Sequence, residues 1–365
     1  MNSNWLFFKE KLLYIGCCYF YFLFVNYYTS NVGYFDRLDH VSGIIQELVF
    51  ISVLERILTS YCSSYISLWR TLFIEFYRNL NHSLNITTHA IDIGLFTMML
   101  WKSEEREKLL GFIEVLSGTR FHAVMLLVNR LRYDISLFYI DSYIYWLLYY
   151  IRKLKEIHSI LSVNRLWRMR LYEIGIVIRD YCLYFGFTGI ISRSIKIIYD
   201  GRFNGYEFYE ELNYTIYYSS IGDCLDRYIL RYNEMIESCK IIYSIYYTIL
   251  SSYYSSLVNS FSLVMEFLIE EFLIAFPLVL SLVMQFKLSI ESSKGIYTVN
   301  LFSFPFLTIN TITNDFLTIN QLNKLNKSMN IGDLIAILGS IDFVLGSVDF
   351  IGTTHFLISF ISFSY

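Results

Sequence analysis

The sequence predicts an α+β fold that is mainly α, with a central helical bundle and small β excursions. Three observations support this prediction. Apolar residues recur at helical spacing over much of the first 250 residues, and short glycine-punctuated runs follow between about 172 and 218. Two partly alternating runs then flank a Ser-Ser-Lys-Gly turn within 286–308. The chain contains no internal repeat or low-complexity linker, and its 365 residues suffice for one large domain or two.

The helices are predicted from the positions of the apolar residues. From Val41 to Leu58 these residues recur at intervals of three and four, with polar side chains between or beside them. Further helices are predicted over roughly 65–85, 89–118, 120–133, 138–163 and 222–250. At 104–108 a charged turn, Glu-Glu-Arg-Glu-Lys, has the spacing for i,i+3 and i,i+4 ion pairs on a solvated helix face.

The second half of the chain is predicted to contain the β structure. Glycines predict turns and short strands over 172–218, and the 286–308 segment is predicted to be a strand pair around its turn. Ile331 to Leu338 is predicted to be a helix that ends at Gly339. We therefore divide the chain into a divergent apolar segment (1–30), a helical core (31–250), a C-terminal α+β part (251–350) and an extra apolar tail (351–365).

The composition narrows the function classes. Hydrophobic residues make up 55% and aromatic residues 19%, a bias that fits a gene drifting toward AT-rich codons, as in some organelle genomes. The net charge of -3 gives no basis for nucleic-acid binding. The mean hydropathy of +0.44 raises the membrane question, but the longest apolar run near the N-terminus, Leu12 to Val25, is shorter than the roughly 18–20 residues that span a bilayer. Buried helices in a large assembly, at a peripheral position, are favoured over membrane spanning.

The cysteines and the N-terminus bear on cofactors and location. The six cysteines include no CxxC and no zinc-finger or ferredoxin spacing, so we expect isolated buried thiols and no iron–sulfur cluster ligated by this chain. The N-terminus resembles neither a secretory signal nor a standard transit peptide. If the protein is organellar, synthesis inside the organelle is the simpler account.

Few residues stand out for chemistry, since the chain has no P-loop, GxGxxG, GxSxG or HExxH motif. His82 and His89 lie seven residues apart, on one face of a helix, and we expect each to be buried and hydrogen-bonded. Asp92 interrupts the apolar run AIDIGLFTMML and must be paired or have a raised pKa, which makes it a functional candidate. His122 is similarly polar among apolar neighbours, while Arg37 lies between two aspartates and is expected to be salt-bridged.

Residues 87–123 carry a more specific pattern. The matching residues are Thr87, Thr88, His89, Ala90, Asp92, Gly94, Trp101, Glu104 to Lys108, Ser117, Gly118, Arg120, His122 and Ala123. At this spacing they resemble the central signature of the 49-kDa subunit of respiratory complex I, a family related to the large subunit of nickel–iron hydrogenases. YFDRLD at 34–39, NRLWRMR at 164–170 and GDC at 222–224 extend the resemblance, as does a closing block from Asp333 to Asp349. It thus covers about residues 34 to 349.

The resemblance implies a hydrogenase-large-subunit-like fold and a function. The chain would be a core subunit of mitochondrial NADH:ubiquinone oxidoreductase, the proton-translocating respiratory complex, and would be an enzyme only as part of it. It would help to form the quinone-reduction site next to a terminal 4Fe-4S cluster held by a neighbouring subunit. Quinone would be a substrate, no cofactor would be bound directly, and NADH and FMN would belong to partner subunits. The expected location is the matrix-side peripheral arm at the mitochondrial inner membrane, beside the cluster-bearing subunit and the quinone-channel membrane subunit.

The resemblance also assigns roles to residues. Arg37, Arg120 and His122 would lie beside the neighbouring subunit's cluster, where positive or protonatable groups stabilise the reduced state. Asp92 would be the carboxylate that partners a quinone-site histidine and passes charge toward the membrane arm. His40 stands where the family has its quinone-binding tyrosine, and it could still donate a proton to a quinone carbonyl. No metal ligand is expected in this chain.

Two departures from the family pattern leave the function open. Residues 1–30 contain nothing like the family's His-Pro-Ala-Ala-His-Gly loop, so Asp92 is expected to have no histidine partner within this sequence. The Pro-Gly-Gly that follows the family's Arg-Met-His-Ala block is also missing. Either a separate chain supplies the missing part, or this is a degenerate scaffold subunit of the same complex. The matches around Asp92 and His122 favour a working site. An integral membrane protein would rest on hydrophobicity alone.

Overall fold

The computed structural model describes residues 32–33, 36, 42–57, 62–133, 135–185, 187–255, 284–293, 296–303, 307–312 and 330–341. These residues are mostly helical with a few short strands, which confirms the predicted mainly α class of α+β fold. The N-terminal segment 1–30 and the tail 351–365 lie outside them. The division of the chain into four parts stays a prediction.

The helices are, in chain order, α1 (Gly43–Ile57), α2 (Ser64–Ile93), α3 (Phe96–Ser117), α4 (Leu137–Val163), α5 (Arg165–Leu171), α6 (Arg179–Phe185), α7 (Ile190–Arg193), α8 (Cys224–Ser255) and α9 (Ile331–Ile341). Two 3-10 turns, Gly201–Asn204 and Tyr209–Glu211, lie between α7 and α8. Strands β1 (Leu126–Leu127) and β2 (Arg130–Leu131) form a minimal antiparallel pair. Strands β3 (Met284–Glu291), β4 (Ile296–Ser303) and β5 (Leu307–Ile312) form an antiparallel sheet in the order β3-β4-β5.

Helix α2 is the central element, and its ends are defined by local chemistry. The Ser63 side chain accepts a hydrogen bond from the backbone N–H of Ile66, which caps the first turn. Gly94 ends the helix in the left-handed region at φ 96°, where a residue without Cβ is favoured, and its N–H reaches the carbonyls of Ala90 and Ile91. Helices α3, α8 and α9 pack along α2, so that most of its length is buried.

The hydrophobic core lies between α2, α3, α4 and α8. It includes Phe76, Leu109, Leu147 and Ile242, each almost without solvent exposure. Aromatic rings fill the α2–α4 contact, with the centroids of Phe76 and Tyr143 4.9 Å apart. Burial of such apolar surface supplies the main favourable free energy of the bundle.

Several predicted elements are confirmed with small boundary shifts. The helices expected over 41–58, 138–163 and 222–250 correspond to α1, α4 and α8. The strand pair expected over 286–308 is also confirmed, with Met284 opposite Ser303 and Glu291 opposite Ile296. Lys108 makes the expected i,i+4 and i,i+3 ion pairs with Glu104 and Glu105, each at 3.2 Å.

The helix predicted over 120–133 is wrong, because this segment contains the β1–β2 pair. Its backbone N–H groups at Met125 and Leu126 donate to one carboxylate oxygen of Glu47, at 3.1 and 3.2 Å. Asn129 adopts a positive φ of 55°, which a right-handed helix does not allow. A buried carboxylate on a distant helix therefore takes donors that helical hydrogen bonds would otherwise use.

Two other predictions are wrong. Between 172 and 218, the described residues form α6, α7 and 3-10 turns instead of short strands. Gly339 does not end a helix, because α9 continues to Ile341. Its lack of a side chain serves a close contact with α2 instead. None of the described helices combines the length and the hydropathy that a bilayer crossing requires.

Candidate functional site

Helix α2 carries polar side chains at positions where a packed helix normally carries apolar ones. They recur at intervals of three and four residues, so they share one face, and they are fully or almost fully buried: Glu75, Arg78, His82, Asn85 and His89. Asp92 continues the series at the exposed end of the helix. Buried polar groups are costly unless they are hydrogen-bonded or paired, so this face requires partners.

The middle of this face joins a group of charged side chains centred on Glu234 of α8. One carboxylate oxygen of Glu234 lies 3.0 Å from Nε2 of His82, and the other lies 2.6 Å from Nη2 of Arg193. Arg193 extends the group to β3, where its Nη1 lies 2.5 Å from Oε1 of Glu291. The expectation that His82 is buried and hydrogen-bonded is confirmed.

The same group continues through the first 3-10 turn and back to α2. Arg202 pairs with Asp200 at 2.6 Å, and its other amino group lies 3.6 Å from Oε1 of Glu75. Arg78 pairs with Glu75 at 3.2 Å. We call the whole set the buried ion cluster: Glu75, Arg78, His82, Arg193, Asp200, Arg202, Glu234 and Glu291. It connects α2, α7, α8, a 3-10 turn and strand β3.

The pKa directions within the buried ion cluster follow from its charges. Burial alone would raise the pKa of Glu234, but Arg193 and His82 reverse this effect and hold the pKa below its ordinary value. Burial would likewise raise the pKa of Glu75, and the neighbouring Arg78 and Arg202 lower it. Burial lowers the pKa of His82. Glu75 and Glu234 therefore stay ionised at neutral pH, as expected of structural ion pairs.

The exposed end of the polar face is arranged around Gly339 of α9. A Cβ atom at Gly339 would lie 2.4 Å from Oδ2 of Asp92 and 3.0 Å from Cδ2 of His89. Asn85, one turn earlier, donates its Nδ2 hydrogen to the Gly339 carbonyl at 2.9 Å. Gly339 is thus the residue on which three turns of α2 converge, and any larger side chain would collide with two of them.

Asp92 has the altered acidity expected of a carboxyl in partly apolar surroundings. Its side chain is exposed on one side, but the protein around the carboxyl still shields it, and this burial raises its pKa to about 6. The sequence predicted that Asp92 is either paired or has a raised pKa, and the raised pKa is confirmed. Such a carboxyl gains and loses a proton close to neutral pH.

His89 lies beside Asp92 in a different environment. Its ring stands 5.2 Å from that of Trp167 in α5, and it is hydrogen-bonded to the backbone of Ala336 in α9. Burial, followed by the positive charges of Arg231 and Arg227, lowers its pKa to about 3, so the ring is uncharged at neutral pH. His89 of the same helix lies near Asp92 on the other side of the Gly339 contact. Its Nε2 has no hydrogen-bond partner among the described residues, so the expectation that Asp92 has no histidine partner within this sequence stays a prediction.

The other predicted site residues lie after α3. Arg120 is exposed and pairs with Glu107 at 2.9 Å and with Glu114 at 2.8 Å. His122 adopts a positive φ of 54°, and its Nδ1 lies 3.3 Å from Oδ2 of the buried Asp36. Arg37 and His40 fall outside the described residues.

The predicted residues therefore divide into two sets. Asp92 precedes α3, whereas Arg120 and His122 follow it. The helix between them has 22 residues, which corresponds to a length of roughly 33 Å. The structure does not gather these described side chains into one cluster.

Sequence reasoning missed the buried lysine Lys102. It is 1% exposed, its Nζ lies 3.2 Å from the hydroxyl of Tyr150, and burial lowers its pKa to about 7. Its position in the sequence could have indicated this burial, because Lys102 lies on the same face of α3 as the buried Met98 and Leu109. Glu234 and Arg193 were missed as well, and the polar series on α2 could have indicated that such partners exist.

Within the described ranges, no group of three or more His, Cys, Asp or Glu side chains is arranged to hold a metal ion. The described cysteines, Cys62, Cys182, Cys224 and Cys239, are free thiols.

Comparison with known proteins gives a consistent result. Residues 92–350 match the family described as "Respiratory-chain NADH dehydrogenase, 49 Kd subunit". The chain is 38% identical over 216 residues to the NADH-ubiquinone oxidoreductase 49 kDa subunit of Acanthamoeba castellanii, covering 59% of this chain and 54% of the relative. It is also 38% identical over 216 residues to the 49 kDa subunit of Reclinomonas americana, covering 59% and 54%. The 49 kDa subunit of Paramecium tetraurelia is 38% identical over 221 residues, with coverages of 59% and 55%. The chain thus spans about half the length of the curated relatives it matches.

Proposed function

Because the chain belongs to the family of the 49 Kd subunit of respiratory-chain NADH dehydrogenase, we propose that it is a core subunit of mitochondrial NADH:ubiquinone oxidoreductase. In this proposal it helps to form the quinone-reduction site of that complex. The observation that carries the proposal is Asp92, a carboxyl at the exposed end of a buried helix with its pKa raised to about 6. A general acid is most effective when its pKa lies close to the working pH.

The chemistry at this site is proton-coupled. Reduction of a quinone to a quinol consumes two electrons and two protons. In this proposal the electrons come from a 4Fe-4S cluster held by a neighbouring subunit, with NADH and FMN bound by other subunits. Asp92 supplies and recovers a proton on the quinone side, and His40 occupies the place of the family's tyrosine as a second proton donor.

Arg37, Arg120 and His122 form the cluster-facing half of the proposal. The support in the described residues is the exposed position of Arg120, whose ion pairs with Glu107 and Glu114 face solvent. Exposed pairs of this kind contribute little stability, so the guanidinium can turn toward a partner at low cost. A positive charge beside a reducible centre favours its reduced state.

The proposal includes location and partners. The names of the relatives support assembly with other subunits of the same complex. We place the chain in the matrix-side peripheral arm, between the cluster-bearing subunit and the quinone-channel membrane subunit, with an organelle gene as its source.

The test is the Asp92→Asn variant in the assembled complex. The amide keeps the size of the side chain but cannot exchange a proton, so we expect quinone-reductase turnover to fall by about 100-fold or more. The amount of assembled complex, measured on native gels, should stay the same because Asp92 lies at the exposed end of α2.

The matched control is Asp141→Asn. Asp141 is an exposed carboxylate on α4 that accepts a hydrogen bond from Tyr246 at 2.7 Å. We expect this variant to keep its turnover. Normal turnover in Asp92→Asn, in a complex that assembles fully, would contradict the catalytic proposal.

The second candidate is a scaffold subunit of the same complex without chemistry of its own. The observation that favours it is His40, which stands in place of the quinone-binding tyrosine. A structure of the whole complex separates the two candidates. A partner chain that places a histidine loop against Asp92 supports a working quinone site, and the absence of such a loop supports the scaffold.

A further inference from the structure

Helix α5 presents apolar side chains to solvent on its outer face. Trp167 and Leu171, four residues apart, are both fully buried and define the inner face of the helix. The opposite face is centred on Met169, which is 66% exposed, with Leu166 beside it at 47%. Exposed apolar side chains that lie together, with polar groups around them, mark a binding surface.

Three arginines surround these two apolar side chains. Arg165, Arg168 and Arg170 are all exposed, and none of their guanidinium groups pairs with a carboxylate among the described residues. The guanidinium of Arg170 extends toward the start of α9, where a Cβ atom at Gly332 would lie 2.7 Å from its Nη1. We call the whole set the α5 surface: Arg165, Leu166, Arg168, Met169 and Arg170. It combines apolar side chains in the middle with positive charge around them.

The charge of this region is opposite to that of the chain as a whole. Residues 152–180 contain seven lysines and arginines and three acidic residues, a net charge of +4, whereas the whole chain has a net charge of -3. The remainder of the chain is therefore acidic and repels an anionic partner, which favours this region as the point of contact. Charge complementarity thus indicates an anionic partner for the α5 surface.

Local contacts hold α5 in a fixed orientation. The Asn164 side chain accepts hydrogen bonds from the backbone N–H groups of Leu166 and Trp167, at 2.9 and 3.3 Å. The Trp167 ring lies 5.1 Å from that of Tyr228 in α8 and 5.2 Å from that of His89 in α2. The helix is thus formed and anchored from its inner face, so binding does not require its backbone to become ordered.

We propose that the α5 surface binds a lipid bilayer that contains anionic phospholipids. The arginines lie against the phosphate groups, while Met169 and Leu166 enter the boundary between headgroups and acyl chains. An acidic polypeptide would neutralise the same arginines, whereas a bilayer also removes the two apolar side chains from water. The surface lies outside the proposed quinone chemistry and does not depend on the role of Asp92.

Flotation of the purified full chain with lipid vesicles tests this binding. One kind of vesicle is phosphatidylcholine alone, and the other contains about 30% phosphatidylglycerol as the anionic lipid. The triple variant Arg165→Gln, Arg168→Gln and Arg170→Gln should lower the partition coefficient on anionic vesicles by about 100-fold and change it little on phosphatidylcholine. Leu166→Ser combined with Met169→Ser should lower the partition coefficient on both kinds of vesicle, by about 10-fold.

The matched control removes the same amount of charge elsewhere. It combines Arg56→Gln, Arg132→Gln and Lys240→Gln, at exposed positions on α1, after β2 and on α8. We expect this control to lower binding to anionic vesicles by no more than about 3-fold, because these charges lie away from the α5 surface. All the changed side chains are exposed, so each variant should fold like the native protein, which far-ultraviolet circular dichroism checks.

Equal losses in the α5 triple variant and its control would overturn the inference, since binding would then follow net charge alone. Binding to soluble polyglutamate, without any preference for anionic over neutral vesicles, would also overturn it and assign the α5 surface to an acidic protein partner. Both results are separable from the proposed function. Asp92→Asn retains the α5 surface and should float with the vesicles as the native protein does, whatever its turnover.

Discussion

Two parts of α2 bury polar side chains under different conditions. In its middle, Glu75, Arg78 and His82 belong to the buried ion cluster, where arginines lower the pKa of Glu75 against the effect of burial. Toward its end, burial raises the pKa of Asp92 to about 6 and lowers that of His89 to about 3. Glu75 and Arg78 hold their charges at neutral pH, whereas His89 is uncharged and Asp92 exchanges its proton close to neutral pH.

The difference shows when a buried carboxyl group keeps its charge and when its pKa shifts. A carboxylate surrounded by guanidinium groups keeps its charge, because removing either partner would leave an uncompensated buried ion. A carboxyl without such compensation shifts its pKa instead and exchanges a proton in the physiological range. The same helix can therefore combine a structural part and a proton-exchanging carboxyl within about three turns.

The largest expected effect tests the fixed part. Glu234→Gln removes the carboxylate charge that pairs with Arg193 and contacts His82. We therefore expect the free energy of unfolding to fall by about 3–5 kcal/mol. Chemical denaturation of the purified protein measures this change. Because the folded pKa of Glu234 is lowered, its contribution is fully present above the ordinary glutamate pKa and is lost only as pH falls toward the folded value.

The control for this change is Glu156→Gln, which breaks the exposed pair with Lys153. We expect it to alter stability by no more than about 0.5 kcal/mol. Similar losses of unfolding free energy in both variants would mean that Glu234 in the buried ion cluster contributes no more stability than an exposed ion pair.

The second-largest expected effect concerns Lys102, a buried amino group without the compensation that the buried ion cluster gives its members. Burial lowers its pKa from 10.5 to about 7, so between these values the unfolded chain binds a proton that the folded chain does not. The resulting penalty is greatest below pH 7 and decreases as pH rises toward 10.5. Lys102→Met should therefore stabilise the protein more at pH 7 than at pH 9.5, by a difference of about 3 kcal/mol.

Denaturation midpoints at the two pH values measure the effect of Lys102→Met. Lys153→Met, at an exposed position on α4, provides the comparison and should show little such difference. Equal stabilisation by Lys102→Met at both pH values would show that Lys102 is charged in the folded protein throughout this range.

The smallest effect tests the contact at Gly339. Gly339→Ala should destabilise the protein by about 1–2 kcal/mol, because the new methyl group meets the Asp92 carboxyl and the His89 ring. The matched change Gly111→Ala, at an open position in α3, should stabilise it by about 0.5–1 kcal/mol. Adding Asp92→Ala to Gly339→Ala should restore part of the loss. Equal effects of the two glycine changes would show that the close approach does not exist.

Much of the helical fold could be predicted from sequence because apolar periodicity is local. The α1, α4 and α8 helices follow directly from residues three and four apart. The β1–β2 pair could not be predicted in this way, since the carboxylate of Glu47, on a helix far away in the sequence, binds its backbone. The role of Gly339 could not be predicted for the same reason, because it depends on a contact with α2.

The candidate site was predictable in part. Asp92 stood out because a carboxylate within an apolar run must be paired or have a raised pKa. The position of His89 against Gly339, and the hydrogen bond to Ala336, depend on the packing of α9 and have no local signature. The roles of Asp92, Arg120 and His122 stay predictions, as do those of Arg37 and His40.

The repeated polar face of α2 also constrains motion. If α2 moved lengthwise by one turn, Glu75 would leave Arg202, Arg78 would leave the Glu291 carbonyl and His82 would leave Glu234. These losses would occur together. The middle of α2 is therefore fixed against lengthwise movement. We therefore expect any displacement of Asp92 to arise in the last turn of α2, beside Gly94.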